Sequence, residues 1–364
     1  MKSKSSRIEP SQRRLANLQV LRAIAALGVV QAHTGLRFGS WHTAGTFGVD
    51  IFFVLSGFIM AMISVPEGHA FFVKRLTRIV PPYWTFTLLA YVALVFFPIF
   101  DQNCIRGVVP LLKSLLFVPY AQLDGTLSPV LGVGWTLNYE MCFYVLVAVG
   151  LMISKRRPAW AAALLLLVLM LIAHLLNGSV FSRFYGNEIM LEFVMGILAF
   201  QIYSVSNSAI TKKLRLVFLC ASAGALYFMF WYEGTRFFGP SGTRLYFLAG
   251  AYVLVQSAAL LSRSGWEVRN RAIILIGDAS YTLYLSHVFV LSVFHHVVSQ
   301  KVAALQINRP MGSAIAVLFS VGCAVLVYVY FERPIHQALN RMLLRSKDAR
   351  MTIAVAPVEA SRGA

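Results

Sequence analysis

The stretch LQVLRAIAALGVVQAH, residues 18–33, decides the fold, because with its flanks it forms an apolar run long enough to cross a lipid bilayer as a helix. The rest of the chain continues this pattern. Of its 364 residues, 58% are hydrophobic and 13% are charged, and the mean hydropathy is +0.70. Soluble domains are about 45–50% apolar and about 25% charged. The composition therefore excludes a soluble domain and indicates a polytopic membrane protein.

Ten apolar segments have about the 17–25 residues that a transmembrane helix needs. We predict an all-α bundle of about ten transmembrane helices, close to residues 15–34, 46–64, 83–100, 132–153, 158–176, 186–203, 213–232, 243–262, 273–299 and 311–332. The apolar segment 104–119 is shorter and ends at Pro119. It is therefore predicted to be interfacial or re-entrant.

The positive charges predict the orientation. The chain has 32 Lys and Arg against 14 Asp and Glu, for a net charge of +18. The basic residues form short clusters between apolar runs, a membrane pattern that argues against a nucleic-acid partner. If the N-terminus is inside, 23 of them lie on the cytoplasmic side and 8 outside. We thus predict a cytoplasmic segment 1–14, a membrane domain 15–343 and a cytoplasmic, disordered tail 344–364.

Four ionisable residues stand out, because a charge near the bilayer centre costs at least about 2.5–3.5 kcal/mol. Arg22 and His33 are eleven residues apart, so they share a helix face about 16 Å apart along the axis. The predicted topology brings Asp50 and Glu140 to the depth of His33. A histidine with a nearby carboxylate is the minimal set for activating a hydroxyl by general-base catalysis. We predict that these four are catalytic; the alternative is that they only pair with one another or reach an interface.

A basic cluster on the cytoplasmic side contains Lys74, Arg75 and Arg78 in the stretch FFVKRLTRIVPPYW. It is either a topology signal that contacts lipid headgroups or a site for a phosphate-rich cofactor. No His or Cys spacing predicts a metal site.

On the ninth predicted helix, Ser280, Tyr284 and His287 share one face. They either form hydrogen bonds between helices or line a passage between the two polar groups. Together with Trp135, which begins the fourth helix, Tyr284 and His287 are our candidates for substrate binding.

Six stretches resemble the membrane acyltransferase-3 family, whose members O-acylate bacterial surface polysaccharides, lipopolysaccharides and Nod factors. They are LQVLRAIAALGVVQAH (18–33), GVDIFFVLSGFIM (48–60), FFVKRLTRIVPPYW (71–84), GWTLNYEMCFY (134–144), IGDASYTLYLSH (277–288) and YFERP (330–334). Their order and spacing cover nearly the whole chain, and the family's most specific mark, Arg followed by His after ten residues, is met by Arg22 and His33. Within the family the sequence is most similar to exopolysaccharide-production acetyltransferases.

The resemblance implies an acyl-CoA donor, typically acetyl-CoA, that is reached from the cytoplasm, and a carbohydrate hydroxyl as acceptor. It also implies that His33 is essential with Arg22 as its companion, that Glu140 belongs to the site, and that Arg75 and Arg78 help to hold the donor. We therefore expect a bacterial inner-membrane O-acetyltransferase that contacts membrane lipids and works beside a polysaccharide-synthesis complex.

Two questions stay open at this level. His33 could deprotonate the acceptor, with Glu140 or Asp50 orienting its ring, or it could itself carry the acyl group. The whole chain could instead be a transporter or flippase of a polysaccharide intermediate, or a scaffold without chemistry. The two halves show no internal symmetry, which argues modestly against a transporter.

Overall fold

The computed structural model describes residues 15–34, 45–96, 104–235, 243–294 and 309–343, and these residues are helical with no strand. The predicted all-helical class is confirmed. The segments 1–14 and 344–364 lie outside the described residues. The helices are α1 Ala16–His33, α2 Gly48–Glu67, α3 Phe71–Phe96, α4 Val108–Leu115, α5 Trp135–Ile153, α6 Pro158–Leu175, α7 Val180–Tyr185, α8 Leu191–Val205, α9 Ser208–Lys213, α10 Arg215–Thr235, α11 Thr243–Arg263, α12 Arg271–Asp278, α13 Ser280–Val293 and α14 Arg309–Val327, which continues through a π-helical turn at Tyr328–Glu332.

Seven stretches of the described residues are long and apolar enough to cross a membrane, or eight if the bent pair α12 and α13 forms one span. One of the seven, Gly48–Phe96, contains both α2 and α3, which are separated by a short 3-10 turn. The helix α1 has 18 residues but is not among the seven, since polar residues such as Arg22 lower its hydropathy. Ten spans with both termini in the cytoplasm remains a prediction. The helix α4, with eight residues and a length of about 12 Å, is too short to cross.

The predicted single helix over 273–299 is wrong, because α12 and α13 meet at an angle of 72°. The break follows Asp278, and α13 begins at Ser280. Its cause is the close packing of α12 on α1: a Cβ at Gly277 would lie 2.1 Å from the Gln19 carbonyl oxygen. Residues 295–299 of the predicted helix lie outside the described part of the chain.

The helices α1 and α2 form the centre of the bundle. The former packs against α2, α11, α12 and α13, and the latter against α1, α5, α8 and α11. The contact between α2 and α8 is a backbone approach at two glycines. A Cβ at Gly57 would lie 2.1 Å from the Phe193 carbonyl oxygen, and one at Gly196 would lie 2.1 Å from that of Val54. Small residues allow such approaches between membrane helices.

Gly57→Ala should lower the free energy of unfolding by about 2–3 kcal/mol, because the new methyl group meets backbone atoms that cannot rotate away. Thermal unfolding in detergent measures this loss. Gly224→Ala is the matched control: Gly224 is also helical, but no atom lies within 4 Å of its Cβ position, so stability should stay equal or rise slightly. Equal melting temperatures for wild type and Gly57→Ala would contradict the close approach of α2 and α8.

Candidate active site

The polar side chains of the bundle centre line a narrow cavity of about 80 Å³, here called the Arg22 cavity. Helices α1, α2, α3, α5 and α13 all contribute to it. Its polar and aromatic lining residues are Arg22, Ser56, Arg78, Thr136, Glu140, Tyr144, Ser280, Tyr281 and Tyr284. Two cations and one carboxylate thus face the same small space from three different helices.

Arg22 is held at the break between α12 and α13. Its Nε donates to the Gly277 carbonyl at 3.3 Å, and its Nε and Nη2 both donate to the Ser280 hydroxyl at 3.1 and 2.9 Å. The Gly277 carbonyl is one of those that a helix end leaves without an intrahelical partner, and the guanidinium supplies it. Arg22 therefore joins α1 to both halves of the broken helix.

Glu140 belongs to this same cavity. Its Oε1 accepts hydrogen bonds from the Tyr144 hydroxyl, one turn later on α5, and from the Ser56 hydroxyl at 3.2 Å. The carboxylate is thereby oriented by two hydroxyl donors, and it faces the cavity that also contains Arg22 and Arg78.

The three basic residues predicted to bind a cofactor differ in their environments. Lys74 and Arg75 both form ion pairs with Glu67, at 3.5 and 3.1 Å. Arg78 lines the Arg22 cavity and makes no hydrogen bond or ion pair with any residue that the structure describes. Of the three, Arg78 is the one whose charge is available to a ligand in the cavity.

His33 lines a second cavity, here called the His33 cavity, of about 580 Å³. Its lining is mostly apolar and comes from α3, α13 and the start of α5, with Trp135 among its aromatic residues. The exposed His33 ring is fixed from behind: Nδ1 lies 2.8 Å from the Val29 carbonyl oxygen. Because a carbonyl only accepts, Nδ1 carries the hydrogen, and Nε2 of the neutral ring presents a free lone pair.

The expectation that Glu140 or Asp50 orients this ring is wrong. Glu140 lies in the Arg22 cavity, and the Asp50 carboxylate accepts from Arg244 at 3.3 Å, beside the buried Glu192. In the described parts of the chain, a backbone carbonyl positions His33 in place of a carboxylate. A similar depth on three helices did not mean contact, since the helices turn these side chains toward different neighbours.

A thin wall separates the two cavities. It consists of residues Val133–Thr136, where α5 begins, and Tyr284–Val288 of α13. The Tyr284 hydroxyl donates to the Val133 carbonyl at 2.9 Å and accepts from the Thr136 hydroxyl at 2.9 Å. Thr136 and Tyr284 face the Arg22 cavity, whereas Val133 and Val288 face the His33 cavity.

His287 is fully buried within this wall. Its ring centroid lies 4.9 Å from that of His33 and 6.0 Å from that of Tyr284. The three candidates for substrate binding therefore differ: Trp135 and Tyr284 line the His33 and Arg22 cavities respectively, and His287 contacts the rings of His33 and Tyr284 from inside the wall.

Sequence reasoning did not identify Tyr144, Thr136 or the bond between Arg22 and Ser280 as parts of the site. The spacing of four residues between Glu140 and Tyr144 was the signal for the first of these. No spacing signals the other two contacts, because they join residues that are 148 and 258 positions apart.

Comparison with known proteins places this geometry in a family. The family described as "Acyltransferase domain", Acyl_transf_3, matches residues 15–329. The exopolysaccharide production protein ExoZ of Rhizobium meliloti (strain 1021) is 30% identical over 332 residues, which cover 89% of this chain and 98% of the relative.

Two further relatives are longer. "Putative peptidoglycan O-acetyltransferase YrhL" of Bacillus subtilis (strain 168) is 28% identical over 89% of this chain and 55% of its own length. "Putative O-acetyltransferase SACOL0978" of Staphylococcus aureus (strain COL) is 25% identical over 78% of this chain and 52% of its own length. The chain thus spans about half of these two proteins. No solved structure matches it significantly.

The hydrogen bond between Thr136 and Tyr284 should couple α5 to α13. In a double-mutant cycle, Thr136→Val and Tyr284→Phe should show a coupling energy of about 1 kcal/mol in the free energy of unfolding, because each change removes the same bond. Denaturant unfolding in detergent measures it. Tyr281→Phe with Thr136→Val is the control and should be additive, since Tyr281 donates instead to the Ile79 carbonyl. Additivity of both pairs would show that the bond between Thr136 and Tyr284 contributes nothing.

Proposed function

This chain belongs to the acyltransferase-3 family and is an O-acyltransferase, and we propose that it moves an acetyl group from acetyl-CoA to a hydroxyl of a surface exopolysaccharide or of its lipid-linked precursor. The single observation that carries the proposal is the unprotonated Nε2 of His33, which is exposed in a large cavity at one end of α1. A cavity with two cations lies toward the other end of the same helix.

In the proposed reaction, His33 Nε2 takes the proton of the acceptor hydroxyl as its oxygen attacks the thioester carbonyl carbon. The new C–O bond forms, the C–S bond breaks, and the departing thiolate receives the proton from His33. The alternative is an acyl-His33 intermediate, in which the same nitrogen attacks the thioester first. Both routes need the Nε2 lone pair that the bond to Val29 leaves free.

The Arg22 cavity supports binding of the donor. Arg78 and Arg22 supply positive charge for phosphate groups. With a volume of about 80 Å³, this cavity is far smaller than the roughly 300–1,000 Å³ of a site for a drug-sized ligand. We therefore propose that only the slender thioester arm enters it, and that the nucleotide stays at the cytoplasmic side beside Lys74, Arg75 and Arg78.

The His33 cavity supports binding of the acceptor. Its volume of about 580 Å³ is in the range of ligand sites, and Trp135 offers an aromatic face and an N–H donor beside the catalytic histidine. The name of the Rhizobium relative favours an exopolysaccharide acceptor for this chain. We propose that the protein is a multi-pass protein of the bacterial inner membrane and that it meets its acceptor beside the polysaccharide-synthesis machinery.

His33→Ala should abolish acetyl transfer while the protein remains folded in the membrane. The assay uses proteoliposomes, labelled acetyl-CoA and a chemically de-O-acetylated bacterial exopolysaccharide as acceptor. His174→Ala is the matched control, since His174 is an exposed histidine at the end of α6, and it should retain full activity. Transfer by His33→Ala would overturn both mechanisms. No transfer by wild type with any acyl-CoA would overturn the proposed donor and revive the transporter interpretation.

Arg78→Ala should raise the KM for acetyl-CoA about tenfold or more, because it removes the charge that faces the cavity without a protein partner. Arg75→Ala should change this KM less and lower stability instead, since Arg75 is bound to Glu67. Arg156→Ala, which removes an exposed cation between α5 and α6, is the control for charge alone. Steady-state kinetics and melting temperatures separate these effects. Equal KM changes for Arg75→Ala and Arg78→Ala would contradict the assignment.

A further inference from the structure

The rings of His33 and His287 contact each other edge to face, with centroids 4.9 Å apart and planes inclined by 64°. They come from different helices, α1 and α13, and differ in exposure. His33 is open to its cavity, whereas His287 is completely buried and lines neither cavity. A substrate therefore reaches His33 but does not reach His287 in this structure.

Both rings are held in the same tautomer by the same device. His33 Nδ1 donates to the carbonyl four residues earlier, that of Val29, and His287 Nδ1 lies 3.1 Å from that of Leu283. Each neutral ring therefore presents an unprotonated Nε2. The Nε2 of His287 is buried and has no hydrogen-bond partner among the described residues.

A buried acceptor without a donor is unfavourable, by roughly 1–3 kcal/mol in proteins generally, and it calls for an explanation. Two unprotonated nitrogens cannot bond to each other. Once His33 takes a proton, however, its Nε2 becomes a donor, and the neighbouring ring offers an unused acceptor.

The surroundings of His33 contain no other group for this task. Among the described residues that line its cavity, Cys104 is the only other titratable side chain, and its thiol lies near its own neighbour's carbonyl, that of Ile105. Glu140 and Arg22 face the other cavity, and Asp50 pairs with Arg244. In enzymes that use a histidine with a carboxylate, the carboxylate stabilises the imidazolium ion that forms.

We propose that His287 is a positioning residue of the transfer reaction: its Nε2 accepts a hydrogen bond from protonated His33 in the interval between proton uptake and proton release. A second, neutral histidine thus takes over part of the work of a carboxylate. Because His287 is enclosed by the wall, the stabilised proton stays between the two cavities. This inference rests on the proposed role of His33 as a base.

A chemical titration of His33 tests the pair without any acyl donor or acceptor. Diethyl pyrocarbonate acylates only unprotonated imidazole, and the tryptic peptide 23–37 contains His33 as its sole histidine. The rate of modification of this peptide, measured by mass spectrometry against pH on the full chain in detergent, reports the protonation of His33. Wild type is compared with His287→Phe, which keeps an aromatic ring, and with His287→Gln, which keeps an acceptor near the Nε2 position.

We expect the midpoint of the His33 titration to move about one pH unit lower in His287→Phe, because protonated His33 loses one charge-assisted hydrogen bond. His287→Gln should titrate within about 0.3 pH units of wild type, as should His174→Phe, the control for a histidine replaced elsewhere. An unchanged midpoint in His287→Phe, or an equal shift in His287→Gln, would overturn the proposal. A merely structural role predicts no difference between the two variants at this nitrogen.

The same variants are then assayed for acetyl transfer to the de-O-acetylated exopolysaccharide. His287→Phe should lower kcat at least tenfold with the KM for acetyl-CoA unchanged, and His287→Gln should retain most of the activity. A lower KM-independent rate only in His287→Phe supports the positioning role, whereas equal rates in all three proteins overturn it. If wild type itself transfers no acetyl group, the proposed function fails, and the titration still decides whether the two histidines interact.

Discussion

The three hydrogen bonds of Arg22 are the interaction on which the arrangement of the site depends. A guanidinium inside a membrane bundle is costly unless polar groups surround it. Here the broken helix provides them, through the Gly277 carbonyl and the Ser280 hydroxyl. The 72° bend between α12 and α13 and the position of Arg22 therefore support each other. Because α13 starts at this bend, the bend also decides where Tyr284 and His287 lie.

From that start, α13 forms one side of the wall between the two cavities, and the first residues of α5 form the other. The wall keeps the cationic cavity apart from the base at His33, so a charged donor and a neutral acceptor can approach from different directions. Direct transfer across such a wall requires only the thioester to pass between them. The bond from Tyr284 to Val133 and the contact between His33 and His287 lie at this point.

A third polar cluster holds the bundle together away from this wall. Asp50, Glu192 and Arg244 stand in the first turns of α2, α8 and α11, and Arg244 reaches both carboxylates, at 3.3 and 3.9 Å. The neighbouring contact of α2 with α8 is so close that both helices carry glycine there. Asp50 is thus engaged with α8 and α11 in this structure, while α2 presents Ser56 to the Arg22 cavity.

The sequence by itself determined the helical membrane character, the family, and the pair of Arg22 and His33 on one helix face, because composition and helical periodicity are local properties. Only the tertiary structure decided that Glu140 faces Arg22, that Asp50 pairs with Arg244, and that a backbone carbonyl and His287 contact His33. The physical reason is that a topology gives the depth of a residue along its helix, whereas the rotation and crossing of the helices decide which side chains meet. The break in α12 and α13 was likewise hidden, since it arises from the close approach of Gly277 to α1 and from the hydrogen bonds of Arg22, which are contacts between residues more than 250 positions apart.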